Sequence, residues 1–127
     1  MGKSLDELRP EFREDIEKVI AELTDWCRVH LPGRKPVVLE TFRTQARQDW
    51  LYAQGRTRKG RIVTWTTRSK HTERIACDIG FSVLGTMGYW DAPEAAWQYY
   101  GHLCRKHGLV WGGDWESPDR PHCQKGD

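Results

Sequence analysis

Two short segments of the sequence carry histidine and aspartate in a pattern that restricts how the chain can fold. His71 and Asp78 lie in the first segment, and Asp119 and His122 lie in the second. Two imidazoles and one carboxylate form a ligand set of catalytic zinc sites, which leave a fourth tetrahedral position for water. The remaining carboxylate, Asp119, is a candidate to accept a proton from that water. The pattern indicates a Zn²⁺-dependent hydrolase in which both segments converge on one ion.

The spacing within each segment predicts its backbone. His71 and Asp78 are seven residues apart, which places them on opposite faces of a regular strand. We therefore expect His71 in a loop that enters the strand. Asp119 and His122 are separated by a pair of residues that includes Pro121, whose ring fixes its own backbone angle and restricts the residue before it. This segment is predicted to form a rigid turn.

The first half of the chain is predicted to contain two helices and a strand. Apolar residues at three- and four-residue spacing, with a proline in the first turn, predict an amphipathic helix over about residues 10–30. Residues 37–42 are rich in branched and aromatic side chains and read as a strand. Thr44 is a candidate N-cap for a second helix, which places Ala46, Trp50 and Ala53 on one face and stops at Gly55.

The second half is predicted to add two strands and a third helix. Residues 75–81 alternate between larger apolar side chains and Ala76, Asp78 and Gly80, which predicts a strand whose Asp78 points away from the apolar face. Asp91 and Glu94 read as a capping box for a helix over about residues 92–107, with Gly108 after its end. Residues 109–111 follow as a strand.

Length and composition set the frame for these elements. The chain has 127 residues, of which 38% are hydrophobic and seven are tryptophan, and it contains no stretch of about 20 apolar residues that would span a membrane. We expect one α+β domain over residues 1–127, with an antiparallel sheet and flanking helices. The N-terminal residues are charged where a secretory signal has its apolar core, so we expect a protein made in the cytoplasm.

The four cysteines are widely spaced and form no C-x-x-C pair, so we interpret them as buried thiols. Cys123 follows His122 directly, and because adjacent residues of an extended segment point to opposite faces, we exclude it as a ligand. Three further histidines are left out of the site: His30, His102 and His107.

Charge is unevenly distributed along a chain whose formal net charge is only +2. A basic segment leads into the metal motif, and Glu73 is its only acid. Such a segment favours attraction of an anionic polymer, either nucleic acid or a cell-wall polyanion, and an ordinary solvated loop is the alternative. Its basic residues are Arg56, Arg58, Lys59, Arg61, Arg68, Lys70 and Arg74.

Several blocks of the sequence, taken in order, resemble the zinc-dependent D-Ala-D-Ala carboxypeptidase and L-alanoyl-D-glutamate peptidase family, particularly its small phage endolysins. The blocks are Glu40 to Thr44, Gln48 through Leu51 to Thr57, Ile62 to Thr64, the Ser69–His71–Asp78 element, Leu109 to Trp115, and Asp119 to His122. The resemblance implies a fold like that of hedgehog proteins and D,D-peptidases. One departure is Arg74, which stands where the family usually has glycine, so the loop beside the metal is expected to differ in shape or charge.

The resemblance also implies roles for individual residues. His71, Asp78 and His122 are implied as Zn²⁺ ligands, and Asp119 as the general base and later the acid. Arg43 resembles the family arginine that holds substrate and stabilises developing negative charge, and Ser69 resembles its substrate-contacting serine.

The implied function is a monomeric endolysin that cuts the L-alanoyl-D-glutamate bond of peptidoglycan peptides, after release to the wall by a separate membrane-permeabilising protein. The alternatives are a D-alanyl-D-alanine carboxypeptidase and a zinc-containing wall-binding domain that does not cut. The second alternative is disfavoured by the presence of Asp119. A nucleic-acid binder would rest only on the basic segment and the aromatic residues, so we expect no nucleic-acid partner.

Overall fold

The computed structural model describes residues 2–64, 66–67, 69–83 and 91–126. In these residues three α-helices accompany one four-stranded antiparallel sheet, which confirms the predicted α+β class. The helices are α1 (Pro10–His30), α2 (Gln45–Ala53) and α3 (Glu94–Lys106), and the strands are β1 (Arg34–Glu40), β2 (Ala76–Val83), β3 (Leu109–Trp111) and β4 (His122–Lys125). Short 3₁₀ turns cover Leu5–Glu7 and Gly112–Asp114.

The strand order in the sheet is β1-β2-β4-β3. β2 and β4 are therefore the two central strands, although β4 comes last in the sequence. The register places Asp78 of β2 directly opposite His122 of β4. Directly opposed residues of an antiparallel pair project from the same face, so the sheet itself joins the two segments that carry the predicted ligands.

One face of the sheet packs against α1 and α3 to form the core. Alternation along β2 puts Cys77, Ile79 and Phe81 in this core, and Asp78 is directed to the opposite face, as predicted. The predicted apolar positions of α1 are buried or pack against the same cluster. The remaining core side chains include Trp97, Tyr100, Leu103, Cys104, Leu109, Trp111 and Cys123.

The predicted start of the third helix is wrong. α3 begins at Glu94 with Pro93 as its N-cap, and it has no side-chain cap. The predicted cap residue Asp91 instead forms an ion pair with Arg34 at 3.3 Å. Pro93 disfavours a helical conformation for Ala92, so the helix begins only at Glu94 and Asp91 is too far from its first turn to cap it. The C-terminal prediction is confirmed, because Gly108 follows the helix with a φ of +74°.

The second helix has its predicted N-cap but not a buried apolar face. The Thr44 hydroxyl accepts a hydrogen bond from the backbone N–H of Arg47. Trp50, however, is 46% exposed, and Gln48 is the side chain that is buried. Hydrogen bonds to neighbouring polar groups account for this reversal, because they satisfy the Gln48 amide away from water.

The strand predicted at residues 37–42 is displaced towards the N-terminus and contains a bulge. β1 runs from Arg34 to Glu40 on the edge of the sheet. Val38 pairs with Ile79, but Glu40 then pairs with Asp78, so the register shifts by one residue. Because an uninterrupted ladder would pair Glu40 with core residue Cys77, the bulge moves Glu40 to the face that carries Asp78.

Candidate active site and metal centre

Three predicted ligands converge on the open face of the sheet. The Oδ1 atom of Asp78 lies 3.2 Å from Nε2 of His71 and 3.1 Å from Nδ1 of His122. These three potential ligand atoms all lie within 4.8 Å of one another. His71 and His122 are buried, whereas Asp78 retains partial access to the cleft.

The local backbone confirms the loop predicted for His71 and the strand predicted for Asp78, whereas the strand that begins at His122 was not predicted. Asp78 and His122 are opposed residues of β2 and β4. His71 lies in the turn before β2, where its carbonyl accepts from the backbone N–H of Arg74 at 3.2 Å. It is this turn, and not the strand, that lets His71 reach the same face as Asp78.

Each histidine uses its second ring nitrogen to hold its orientation. Nδ1 of His71 lies 3.2 Å from the carbonyl oxygen of Thr41, and Nε2 of His122 lies 2.8 Å from Oε1 of Gln124. Both partners are oxygens that accept a ring N–H. This arrangement directs Nε2 of His71 and Nδ1 of His122 towards the common centre, which is how histidine ligands of metals are usually fixed.

Electrostatics favour a cation at this centre. Burial raises the pKa of Asp78, but hydrogen bonds from His122 and His71 outweigh it and hold the pKa well below its usual range. Burial lowers the pKa of His122, and its hydrogen bond to Asp78 reverses that effect so that the pKa is raised. Two imidazole nitrogens around one ionised carboxylate therefore require positive charge, either as protons or as a metal ion. The donor set of two nitrogens and one oxygen fits Zn²⁺.

Asp119 borders the same cleft in the turn that precedes β4. Its backbone N–H donates to the carbonyl of Gly112 at 2.9 Å, and its own carbonyl accepts from the N–H of His122 at 3.1 Å. Partial burial and the negative charge of Asp78 raise the pKa of the Asp119 carboxyl, although His122, His71 and Arg43 oppose this. A carboxyl with a raised pKa is better matched to proton transfer near neutral pH.

Arg43, which lines the same cleft, is held between the side chains of Glu40 and Gln48. Its Nη2 pairs with Oε1 of Glu40, and its Nε donates to Oε2 of the same carboxylate at 3.3 Å. Nη1 donates to Oε1 of Gln48 at 2.6 Å. These bonds use three of the five guanidinium N–H groups, so one hydrogen on each terminal nitrogen remains for other partners.

The loop that carries His71 keeps the backbone that glycine would adopt. Arg74 has a φ of +64°, in the left-handed region that favours glycine. Its guanidinium lies 4.2 Å from the ring centre of Phe42. The departure from the family glycine therefore preserves the shape of the turn and adds a positive charge. Within the turn, the Ser69 hydroxyl accepts from the backbone N–H of His71 at 3.1 Å.

The predicted site residues line one cavity of about 230 Å³. Trp115 also lines it, and its ring lies 5.1 Å from that of His122. Trp111, by contrast, lies in the core: it is only 2% exposed and donates its indole N–H to the carbonyl of Arg120. The site residues in this lining are Arg43, Ser69, His71, Asp78, Asp119 and His122.

The residues left out of the site lie elsewhere. His30 contacts Trp26, and His107 lies 2.9 Å from a carboxylate oxygen of Glu22 at the end of α3. The four cysteines are free and buried, as predicted, and Cys123 lies in the core behind His122.

The basic segment is only partly covered by the structure, since Arg68 lies outside the described residues. Two of its arginines lie over aromatic rings of α2: Arg58 is 3.5 Å from the centre of Trp50, and Arg56 is 3.8 Å from that of Tyr52. In the part of the chain that the structure describes, no helix is both long and apolar enough to cross a bilayer.

Sequence reasoning missed three residues that support the site. Gln124 lies two positions after His122 on β4, and this spacing, which places both on one strand face, was an available signal. Glu40 and Gln48 had no comparable signal in their spacing. A bulge positions Glu40, and Gln48 lies on a buried helix face without apolar residues, so neither appears in the periodicity of the sequence.

Comparison with known proteins connects this site to a family. A family model described as D-alanyl-D-alanine carboxypeptidase matches residues 63–125, which include His71, Asp78, Asp119 and His122. The chain is 34% identical over 102 residues to the peptidoglycan L-alanyl-D-glutamate endopeptidase CwlK of Bacillus subtilis (strain 168), in an alignment covering 72% of this chain and 61% of the relative. The chain thus spans about three-fifths of the length of this curated relative.

Solved structures show the same fold. The L-Ala D-Glu endopeptidase ChiX of Serratia marcescens superposes with a TM-score of 0.66 at 21% identity, covering 96% of this chain and 83% of that one. The vancomycin resistance D,D-pentapeptidase VanY, solved in complex with Zn(II), gives a TM-score of 0.56 at 16% identity, covering 93% and 72% of the two chains. These two likenesses concern the fold alone. The family model and the curated relative show that the chain belongs to the zinc-dependent family of D-alanyl-D-alanine carboxypeptidases and L-alanoyl-D-glutamate peptidases.

Proposed function

We propose that this chain is a zinc peptidase that hydrolyses the L-alanoyl-D-glutamate bond of peptidoglycan peptides. The observation that carries the proposal is the convergence of His71, Asp78 and His122 in a cavity that Asp119 and Arg43 also line. A ligand triad, a carboxyl group and a cation in one cleft are the groups that metal-assisted peptide hydrolysis needs.

His71, Asp78 and His122 hold the ion in this proposal. When bound, Zn²⁺ supplies Lewis-acid polarisation of the scissile carbonyl and lowers the pKa of water towards about 7. The carbonyl of Thr41 and the amide of Gln124 fix the two imidazoles, so the ligand atoms are already oriented. Little reorganisation is then needed when the ion binds.

Asp119 and Arg43, which line the same cavity, both act on the substrate in this proposal. The Asp119 carboxylate accepts a proton from the attacking water and returns it to the leaving amine. The Arg43 guanidinium holds a substrate carboxylate and offsets the negative charge that develops on the scissile carbonyl oxygen. Ser69 contacts the peptide at the rim, next to the turn that its hydroxyl caps.

The identity of the scissile bond is inferred from the curated relative. CwlK, at 34% identity, is an L-alanyl-D-glutamate endopeptidase, which favours the same bond here. The description of the matching family model keeps D-alanyl-D-alanine carboxypeptidase activity as the second candidate. A wall-binding domain without catalysis is disfavoured, because Asp119 lies in the cavity with the ligand triad.

The biological role that we propose is bacterial lysis by a phage-type endolysin. In this proposal the chain acts as a monomer on the wall after its release from the cytoplasm.

Mass spectrometry of peptidoglycan digested by the zinc-loaded protein tests the proposal. We expect new fragments that begin at D-glutamate, whereas release of terminal D-alanine would establish the carboxypeptidase instead. Asp119→Ala should keep stoichiometric zinc and lose about 10²-fold or more in turnover, as expected for a general base. His122→Ala should lose zinc and activity together. Wall binding without any cleavage by folded, zinc-loaded protein would refute the proposal.

A further inference from the structure

Glu40 is a buried acid beside the catalytic cleft, and neither the ligand triad nor the proton transfer uses it. Its side chain is 4% exposed. Burying a carboxylate is expensive unless it is paired and hydrogen-bonded, so a buried carboxylate at this place needs a reason. We propose that Glu40 is a positioning residue, which fixes the orientation of the Arg43 guanidinium towards the substrate. This inference rests on the proposed function.

The contacts show how this positioning works. Both oxygens of Glu40 accept from Arg43, through Nη2 and through Nε at 3.3 Å. Gln48 accepts from Nη1 on a different edge of the guanidinium at 2.6 Å. A planar guanidinium that is bound along two edges cannot rotate about its last side-chain bond. The N–H groups that remain are then directed by the protein before the substrate arrives.

Glu40 and Gln48 together form a clamp on the Arg43 guanidinium. Gln48 is itself held in place by hydrogen bonds. It is fully buried, and its amide nitrogen donates to the hydroxyl of Thr64 at 3.3 Å and to the carbonyl of Thr66. Thr64 and Thr66 also line the cleft. The clamp therefore links the arginine to the rim of the substrate cavity.

The bulge in β1 is the device that places the carboxylate. It moves Glu40 from the register position opposite Cys77 to the one opposite Asp78, on the face of the site. Bulges recur next to active sites because they redirect a side chain in this way. Asp78 of β2 therefore lies between Glu40 of β1 on one side and His122 of β4 on the other.

Glu40 also lies near the metal centre, which defines the competing explanation. Its Oε1 is 3.6 Å from Nε2 of His71. A carboxylate at this distance could instead act on the ion as an additional ligand. The bidentate ion pair with Arg43 argues against this, because both carboxylate oxygens are already engaged by the guanidinium.

The test compares four variants: Glu40→Gln, Glu40→Asp, Arg43→Lys and the Glu40→Gln/Arg43→Lys double variant. Glu14→Gln serves as the control, since it removes an exposed acid of α1. The readouts are zinc content, melting temperature, kcat and KM separately, and the Nε–H resonance of Arg43 in ¹⁵N NMR spectra.

For Glu40→Gln we expect a 10- to 100-fold loss in kcat/KM, since misplacement of a substrate-orienting group by about 1 Å has effects of this size. Zinc content should remain stoichiometric. Glu40→Asp should recover part of the loss, and the double variant should be no worse than Arg43→Lys alone, because residues that act through one another are not additive.

Loss of zinc from Glu40→Gln, or additive losses in the double variant, would overturn the positioning role. The NMR readout does not require turnover. In the wild type the Arg43 Nε–H should exchange slowly with water, and in Glu40→Gln it should exchange fast. If the wild-type protein cleaves nothing but this difference persists, the proposed function fails while the clamp stands. If the Nε–H exchange is unchanged in folded Glu40→Gln and Glu40→Asp, the clamp itself is refuted.

Discussion

Replacing Gly112 by alanine should displace Asp119, the proposed general base, relative to His122, the proposed ligand that follows it. A Cβ atom at this position would lie 2.3 Å from the carbonyl oxygen of Asp119 and 3.0 Å from Cβ of His122. Ordinary van der Waals contacts begin near 3.4 Å, so the added Cβ and the Asp119 carbonyl oxygen must move apart by about 1 Å. The same carbonyl accepts from the N–H of His122, and Gly112 in turn accepts from the N–H of Asp119. The turn therefore cannot move without shifting both functional residues.

Two magnitudes follow from this geometry. Overpacking of this kind destabilises a fold by about 1–3 kcal/mol, and a misplacement of about 1 Å lowers the rate by about 10²-fold. We therefore expect Gly112→Ala to melt at a lower temperature. Its kcat/KM should also fall by more than the decrease in the fraction of folded protein can explain. Steady-state cleavage of peptidoglycan peptides, with zinc content and melting temperature measured on the same samples, tests both effects.

Gly126→Ala is the matched control. Its added Cβ would meet nothing closer than 3.7 Å, and the residue lies just after β4. If Gly112→Ala and Gly126→Ala show the same stability and the same kcat/KM, the turn does not fix the distance between base and ligand, and the reasoning fails.

Three further predictions concern the surroundings of the site. Gln124→Leu should weaken zinc affinity by about 10- to 100-fold, because His122 loses the acceptor that orients its ring, and competition with a chelator measures this. Arg74→Val should destabilise the fold by about 1–2 kcal/mol more than Arg74→Gly in chemical denaturation, since a branched residue does not tolerate a left-handed backbone. Burial raises the pKa of Cys27 to about 11 and that of Cys77 well above its usual range, so both thiols should resist alkylation at pH 8 until the protein unfolds; labelling in the native state would contradict this.

The sequence was sufficient to predict the strand that organises the site. Alternation across residues 75–81 placed Asp78 on the polar face, and the spacing of His71 required a loop before the strand; the structure has both features. These predictions succeed because the periodicity of a strand and the reach of a short loop are local properties. Pairing of β2 with β4 was implied only by the convergence of the ligands, since β4 itself is four residues long and carries little pattern of its own.

The features that the sequence did not reveal depend on tertiary contacts. The bulge in β1 inserts one residue without changing the composition of the strand, so nothing in the predicted strand over residues 37–42 shows which face Glu40 occupies. The buried position of Gln48 on α2 depends on hydrogen bonds to Arg43 and Thr64, which the helix pattern does not show. The Asp91–Glu94 capping pattern occurs without forming a cap, because Pro93 disfavours a helical conformation for Ala92 and the two acids pair with arginines elsewhere.

The two faces of the central strands connect stability to chemistry. Asp78 lies between core residues Cys77 and Ile79, and His122 is followed by core residue Cys123. The two proposed ligands on strands are therefore held by neighbours whose positions are fixed by close packing in the core, and interiors packed at this density do not deform gradually. The alternation of apolar and polar residues along these strands thus serves both stability and chemistry, since the apolar side chains fix the backbone to which the proposed ligands are attached. A metal centre built in this way is oriented before the ion binds, whereas Arg43, which follows the end of an edge strand, requires its own clamp.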